Sequence, residues 1–169
     1  MAAPCYIMWN GAVSALTSPW AGVACSAVSG TVMTMLQVKP VNKIRVIEWG
    51  YNFIAVPTAP LKMELVETGA VFATVTTGAS VSVVNYNDQS GAATTVTMGT
   101  SATGFTASAE GTVTATRLLD YNLDTGLYFK KQFPLGREPE VGAAQSLRIR
   151  ATPTTAAATT IACYIVWEE

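Results

Sequence analysis

Hydrophobic and polar residues alternate along much of this chain with a period of two, which is the spacing of a half-buried β-strand. In the stretch LKMELVE, the apolar residues Leu61, Met63 and Leu65 alternate with the charged residues Lys62 and Glu64. We therefore predict a strand here with one buried face and one face in water.

The stretch LRIRA repeats this pattern, because Leu147 and Ile149 alternate with Arg148 and Arg150. This strand is also predicted to have one face in water. If it neighbours the LKMELVE strand, Glu64 can oppose an arginine across the sheet, a pairing that contributes roughly 0.2–1 kcal/mol.

Strand-like stretches follow one another along the chain, with turn residues between them. The predicted strands are 31–38, 43–56, 61–67, 70–76, 80–86, 93–98, 111–119, 127–133, 147–152 and 159–167. No stretch carries a convincing helical stripe. About ten short strands predict an all-β, single-domain β-sandwich or jelly-roll.

Two of these strands carry further information. Both faces of 159–167 are apolar, which predicts a central strand of a sandwich or a strand pressed against another subunit. In 43–56 the apolar side changes near Val46 and Ile47, which predicts a bulge or burial of both faces.

The first 38 residues contain no charged side chain and no sustained period. We interpret residues 1–30 as an irregular, extended arm or as short strands, with Trp9 and Trp20 as anchors on a partner. The predicted division is an arm and first strand at 1–38, and a sandwich domain at 39–169. The Gly, Ser, Thr and Ala-rich stretch 88–109 is predicted to be a long loop or an edge hairpin.

Only 12% of the residues are charged, about half the usual share of about 25%. Residues 68–109 contain a single charge, Asp88. Long uncharged stretches indicate surface that other subunits cover, since a free monomer normally keeps charge spread over its surface. A neutral Thr/Ser surface is the alternative.

Charge and residue types exclude several classes of function. A net charge of −1 with dispersed Lys and Arg argues against nucleic acid and against an anionic membrane as partners. The absence of histidine removes His-based catalysis and His metal ligation. The three cysteines predict reduced thiols, not a disulfide framework. We assign no catalytic, metal-binding or cofactor-binding residue and predict that the protein is not an enzyme.

The stretch DYNLDTG contains three competing patterns. Asp124 begins the Asp-Thr-Gly triplet of aspartic proteases, but a protease needs two such carboxylates, from a dimer if each chain carries one. Asp120, Asn122 and Asp124 have the alternate spacing of a calcium loop, but Lys131 stands where a Glu would complete it. We therefore predict that residues 120–126 form a loop between two strands.

The stretch FPLGREPEVG is stiffened by Pro134, Gly136 and Pro139. It holds Arg137 and Glu138 in a protein that has few charges. We interpret it as a contact element in which the guanidinium meets a partner carboxylate. The alternative is a solvated loop pair, which contributes little to stability.

The order of K-I-R-V-I-E-W-G-Y-N-F, Q-F-P-L-G-R-E-P, S-L-R-I-R-A-T-P and I-A-C-Y-I-V-W-E-E over residues 43–169 resembles small virion proteins of tailed bacteriophages. The resemblance implies a jelly-roll or sandwich that decorates or cements a capsid, with the major capsid protein as partner. It implies location on the virion after assembly in the host cytoplasm. It carries over no functional residue, and residues 1–38 lie outside it.

The favoured hypothesis is a decoration protein that forms an oligomer with copies of itself, a trimer in the simplest case. Besides Trp9, Trp20, Arg137 and Glu138, the candidate contact residues are Tyr164 and Trp167 of the last strand. One rival is a carbohydrate- or receptor-binding sandwich that stacks sugars on aromatic side chains, for which the candidates are Trp49, Tyr86 and Tyr128. A tail or neck subunit is a second rival.

Overall fold

The computed structural model describes residues 3–11, 21–77, 83–88, 90–113, 115–156 and 158–169. They form two antiparallel sheets that pack face to face, so the predicted all-β, single-domain sandwich is confirmed. Sheet A contains β1 (Cys5–Trp9), β2 (Val23–Ala24), β4 (Ile44–Phe53), β7 (Val83–Asn85), β10 (Tyr128–Gln132), β11 (Glu140–Val141) and β13 (Thr160–Glu168). Sheet B contains β3 (Met33–Val38), β5 (Leu61–Thr68), β6 (Thr74–Thr77), β8 (Gly104–Ala109), β9 (Thr116–Asp124) and β12 (Ser146–Pro153).

The strand order is β10-β4-β13-β1-β7 in sheet A and β6-β8-β3-β12-β5-β9 in sheet B. The core lies between the sheets, where alternate side chains from both meet. Sheet A contributes large aromatic groups such as Trp49, Tyr51 and Trp167. Sheet B contributes mainly aliphatic groups such as Leu65 and Ile149. In the described part of the chain, no helix is long and apolar enough to cross a membrane.

The predicted neighbourhood of the LKMELVE and LRIRA strands is confirmed. Strands β5 and β12 pair along their whole length, and Glu64 lies opposite Arg150. The Arg150 guanidinium donates a hydrogen bond to Glu64 Oε2 over 3.3 Å. The predicted wet face of these strands is wrong, because Glu64 and Arg148 are both buried. Loop residues around 71–73 and 110 cover this outer face of sheet B and bond to its polar groups.

The bulge predicted near Val46 and Ile47 is confirmed. Opposite β13, Glu48 pairs with Val166 and Val46 pairs with Trp167, so Ile47 is the extra residue. The prediction of a central strand for 159–167 is confirmed as well, because β13 lies between β4 and β1.

The N-terminal residues differ from an extended arm. Strand β1 lies inside sheet A between β13 and β7, because Tyr6 and Met8 alternate with outward-facing residues and enter the core. Strand β3 likewise lies inside sheet B, so the described residues below 39 belong to the same sandwich. Of the two interpretations offered for residues 1–30, short strands describe 5–9 and 23–24.

The stretch 88–109 was predicted to be a long loop or an edge hairpin. It contains strand β8, which lies inside sheet B between β6 and β3, so it is neither. At one position of this strand, Gly104, the backbone passes close to β6. A Cβ added at Gly104 would stand 2.4 Å from the carbonyl oxygen of Thr76. A glycine that allows such an approach weakens the strand pattern in the sequence. The strand predicted at 93–98 is irregular apart from a single bridge at Met98.

Candidate interaction surface

Strands β9 and β10 form one side of the sandwich, at which the edge strand of each sheet is exposed. Strand β9 runs as far as Asp124, so the predicted loop at 120–126 is wrong except at its end. The residues of this strand alternate in direction: Asp120 and Asn122 point between the sheets, whereas Tyr121 and Leu123 point outward. The polar pattern that indicates a loop is therefore the inner face of a strand.

The inward polar side chains of β9 bind polar atoms of the aromatic core. Trp49 Nε1 donates a hydrogen bond to Asp120 Oδ2 over 2.9 Å. The Tyr51 hydroxyl donates to Asp124 Oδ2 over 3.1 Å and accepts from Asn122 Nδ2 over 2.9 Å. Burial and the nearby Asp124 raise the pKa of Tyr51. These contacts fasten β9 to sheet A.

The carboxylates on which the protease and calcium patterns depend, those of Asp120 and Asp124, therefore form structural contacts. Asp120 also accepts a hydrogen bond from Lys131 Nζ over 2.7 Å, and Asp124 accepts one from the Gly126 amide. Within the described ranges, no group of three or more His, Cys, Asp or Glu side chains could hold a metal ion.

Several large apolar side chains on β9, on β10 and in the adjoining segments are exposed. Among the described residues, every exposed leucine lies in the 18-residue stretch from Leu118 to Leu135, and two exposed tyrosines accompany them. We call this set the β9–β10 surface, and it has two sides. Leu118, Tyr121 and Leu123 face outward from sheet B, Tyr128 faces outward from sheet A, and Leu127 and Leu135 lie in the segments before and after β10. Concentrated exposed apolar groups mark interaction sites on soluble proteins. The sequence indicated apolar residues here, but not that they face outward.

A tight turn in FPLGREP holds Leu135 at the surface. The Arg137 amide donates to the Pro134 carbonyl over 2.9 Å, and Gly136 has a φ of 80°, as the third position of a type II turn requires. The Gly136 amide donates to Glu138 Oε2 over 2.8 Å. On the preceding side, Phe133 is buried in the core. Leu135 is consequently 94% exposed at the tip of a braced turn.

Arg137 beside it has no charged partner among the residues that the structure describes. Eight of the ten Lys and Arg side chains form ion pairs. Lys39 lies over the ring of Phe72, 4.5 Å from its centroid. Of the Lys and Arg side chains that the structure describes, Arg137 alone has neither an ion pair nor a ring contact. The predicted contact element therefore presents a leucine and a guanidinium together, while Glu138 braces the turn.

The other predicted contact residues are divided between the two faces of sheet A. Trp167 is fully buried between the sheets, so its prediction as a contact residue is wrong. Tyr164 is on the outer face but is 6% exposed, because the Trp9 ring packs against it at 4.5 Å between centroids. Trp9 itself is half-buried, and Trp20 lies outside the described residues.

The aromatic residues predicted to stack on sugar are also divided. Trp49 is a core residue with no exposed surface, so that role is excluded for it. Tyr86 and Tyr128 are more than half exposed on the outer face of sheet A.

The fold is a two-sheet β-sandwich with exposed apolar side chains on the edge strand of each sheet. Comparison with protein-family models, with curated proteins and with solved structures finds no match for this chain.

Proposed function

We propose that this chain is a non-enzymatic structural subunit of a virion, which assembles with copies of itself and decorates the capsid of a tailed bacteriophage. The observation that carries the proposal is the braced turn at 133–139, which presents Leu135 and the unpaired Arg137 beside the β9–β10 surface. A rigid apolar tip beside a guanidinium suits a specific protein contact more than it suits catalysis.

The energy available from this contact is appreciable. Burying one leucine contributes about 1.5–3 kcal/mol, and a carboxylate on the partner would add a charge-assisted pair with Arg137. The turn is held by internal bonds, so little conformational entropy is lost on binding. Repetition of this contact across an oligomer, such as a trimer, multiplies its effect on a capsid lattice.

The major capsid protein is the partner that we propose, and the virion surface is the location. The test is co-sedimentation of the purified chain with phage heads that lack it, together with mass measurement of the free chain. The double variant Leu135→Ser/Arg137→Glu is expected to lose at least about tenfold in affinity for heads. Its thermal melting should match that of the unchanged chain, since neither side chain packs in the core.

The variant Val28→Ser is the matched control, because it removes an exposed apolar group outside the β9–β10 surface. Control and unchanged chain are expected to bind heads alike. The proposal fails if the double variant saturates heads as the unchanged chain does. It also fails if mass spectrometry of purified particles from the chain's source does not detect the chain.

A further inference from the structure

The outer face of sheet A contains a hollow of about 460 Å³ on the side opposite to the core. Small-molecule sites typically occupy about 300–1,000 Å³. Ile47 and Val166 supply apolar surface to this hollow, and Glu48, Lys130 and Tyr86 supply polar groups and a ring. We call it the Glu48 hollow.

Glu48 is fixed in position by two neighbours. The Tyr164 hydroxyl donates to Glu48 Oε1 over 2.6 Å, and Lys130 Nζ lies 3.0 Å from Glu48 Oε2. Both partners stand on strands beside β4, so the three groups are held by the sheet itself. Glu48 and Lys130 both retain hydrogen-bonding capacity, since a carboxylate accepts about four bonds and an ammonium donates three.

The charges around the hollow cancel in pairs. Glu48 is matched by Lys130, and Glu168 is matched by Arg45. Any ionic ligand would meet a group of its own sign at close range. Gln132 adds an exposed amide, which makes no hydrogen bond among the described residues. The hollow thus suits a neutral molecule with several hydroxyl groups.

One tyrosine ring lines the hollow, and a second lies on the same face of sheet A outside its lining. Tyr86 lines the hollow and is 57% exposed, and Tyr128 follows the same outward face of β10 as Lys130. Exposed tyrosine rings offer flat apolar surface with a polar tip. We propose that the Glu48 hollow binds a neutral pyranose unit of a glycan, with Tyr86 stacking on its C–H face and the fixed Glu48–Lys130 pair bonding its hydroxyls.

The thiol of Cys5 also lines the hollow but is not a reactive group there. Burial and the nearby Glu168 carboxylate raise its pKa, which keeps it protonated. The site is therefore one of binding, and the proposal does not depend on capsid decoration.

The test is nuclear magnetic resonance titration of the ¹⁵N-labelled full chain. The probes are the methyl glycosides of glucose, galactose, mannose, rhamnose and N-acetylglucosamine, each alone and then as a short homo-oligosaccharide. At least one probe is expected to shift the amide signals of Glu48, Tyr86 and Lys130. Binding of an oligosaccharide without its methyl glycoside would identify a polymeric glycan as the source.

Tyr86→Ala is expected to weaken the binding about tenfold. Tyr121→Ala is the matched control: Tyr121 is 56% exposed but lies on sheet B, so its loss should leave the affinity unchanged. The proposal is overturned if no probe binds, if the shifts map away from the hollow, or if Tyr86→Ala binds as well as the control.

Discussion

Replacement of Arg148 by alanine should reveal how strongly the outer layer of sheet B is attached. Arg148 is fully buried on the face of the sheet that points away from the core. Its guanidinium donates to Ser146 Oγ over 3.0 Å, to the Glu110 carbonyl over 3.2 Å and to the Val71 carbonyl. It also forms an ion pair with the Glu110 carboxylate at 3.4 Å.

The magnitude follows from what the substitution leaves behind. Two half-buried loop carbonyls lose their donor. An unsatisfied buried group costs about 1–3 kcal/mol, and partial access to water puts these two near the low end of that range. Glu110 keeps the Thr34 amide and hydroxyl as partners, and its side chain is 27% exposed, so its charge is not stranded. Burial lowers the pKa of Arg148, which offsets part of what the pairing contributes. We expect Arg148→Ala to lower the free energy of unfolding by about 3 kcal/mol, near the low end of the range for breaking a buried pair.

Urea denaturation measures the change in the free energy of unfolding directly. In thermal denaturation, the expected fall in Tm is about 6–12 °C. In hydrogen exchange, the Arg148→Ala variant should exchange the amides of the loop around 71–73 faster than the unchanged chain does. The increase should be larger there than in the core strands. Arg117→Ala is the control: Arg117 forms a surface pair with Glu67 and is 54% exposed, so its loss should cost less than about 1 kcal/mol. Equal, small effects of the two substitutions would refute this reasoning.

Two further changes test other buried polar groups. Glu64→Lys should lower the free energy of unfolding by at least about 2 kcal/mol, because Glu64 is buried between Lys62 and Arg150. Urea denaturation measures this loss, with Glu140→Lys at an exposed position as the control. Equal losses in the two variants would contradict the prediction. Stability should also fall at high pH. Burial raises the pKa values of Tyr51 and Tyr164 in the folded state above the ordinary tyrosine value of 10.0, so the stabilisation is complete below pH 10.0 and is lost as the pH rises above it. Above pH 10.0 the free energy of unfolding should fall by about 1.4 kcal/mol per pH unit for each tyrosine. Urea denaturation at each pH measures this fall, and tyrosinate absorbance reports when the hydroxyls ionise. Ionisation of these two hydroxyls in the folded state without loss of stability would contradict the prediction.

The faces of a strand were predictable from the sequence wherever apolar and charged residues alternate. Alternation puts Glu64 and Arg150 on the outer faces of their strands, whereas the structure shows that the two strands are neighbours and that these residues are opposite each other. The bulge at Ile47 was visible because the apolar side of the strand changes there. These features depend on neighbours in sequence and on a period of two.

The burial of Arg148 was not predictable in the same way. Alternation assigns a charged residue to the wet face, but this face is covered by loop segments more than 35 residues away along the chain. Strand β8 was missed because Gly104 makes a close backbone approach possible and leaves no side-chain pattern. Both errors have one cause: a tertiary contact that no local pattern records.

The same limit applies to the candidate interaction surface. The sequence shows few charges but does not show how they are used. In the structure most Lys and Arg side chains already form ion pairs within the chain. Part of the desolvation cost of these charges has therefore been met on folding, before any assembly. Arg137 is the exception among the described residues, and it stands beside Leu135, the most exposed large apolar side chain among them. In the contact that we propose, the leucine would contribute binding energy, whereas the guanidinium would require a particular geometry of the partner. A turn that combines the two would select a partner as well as hold it.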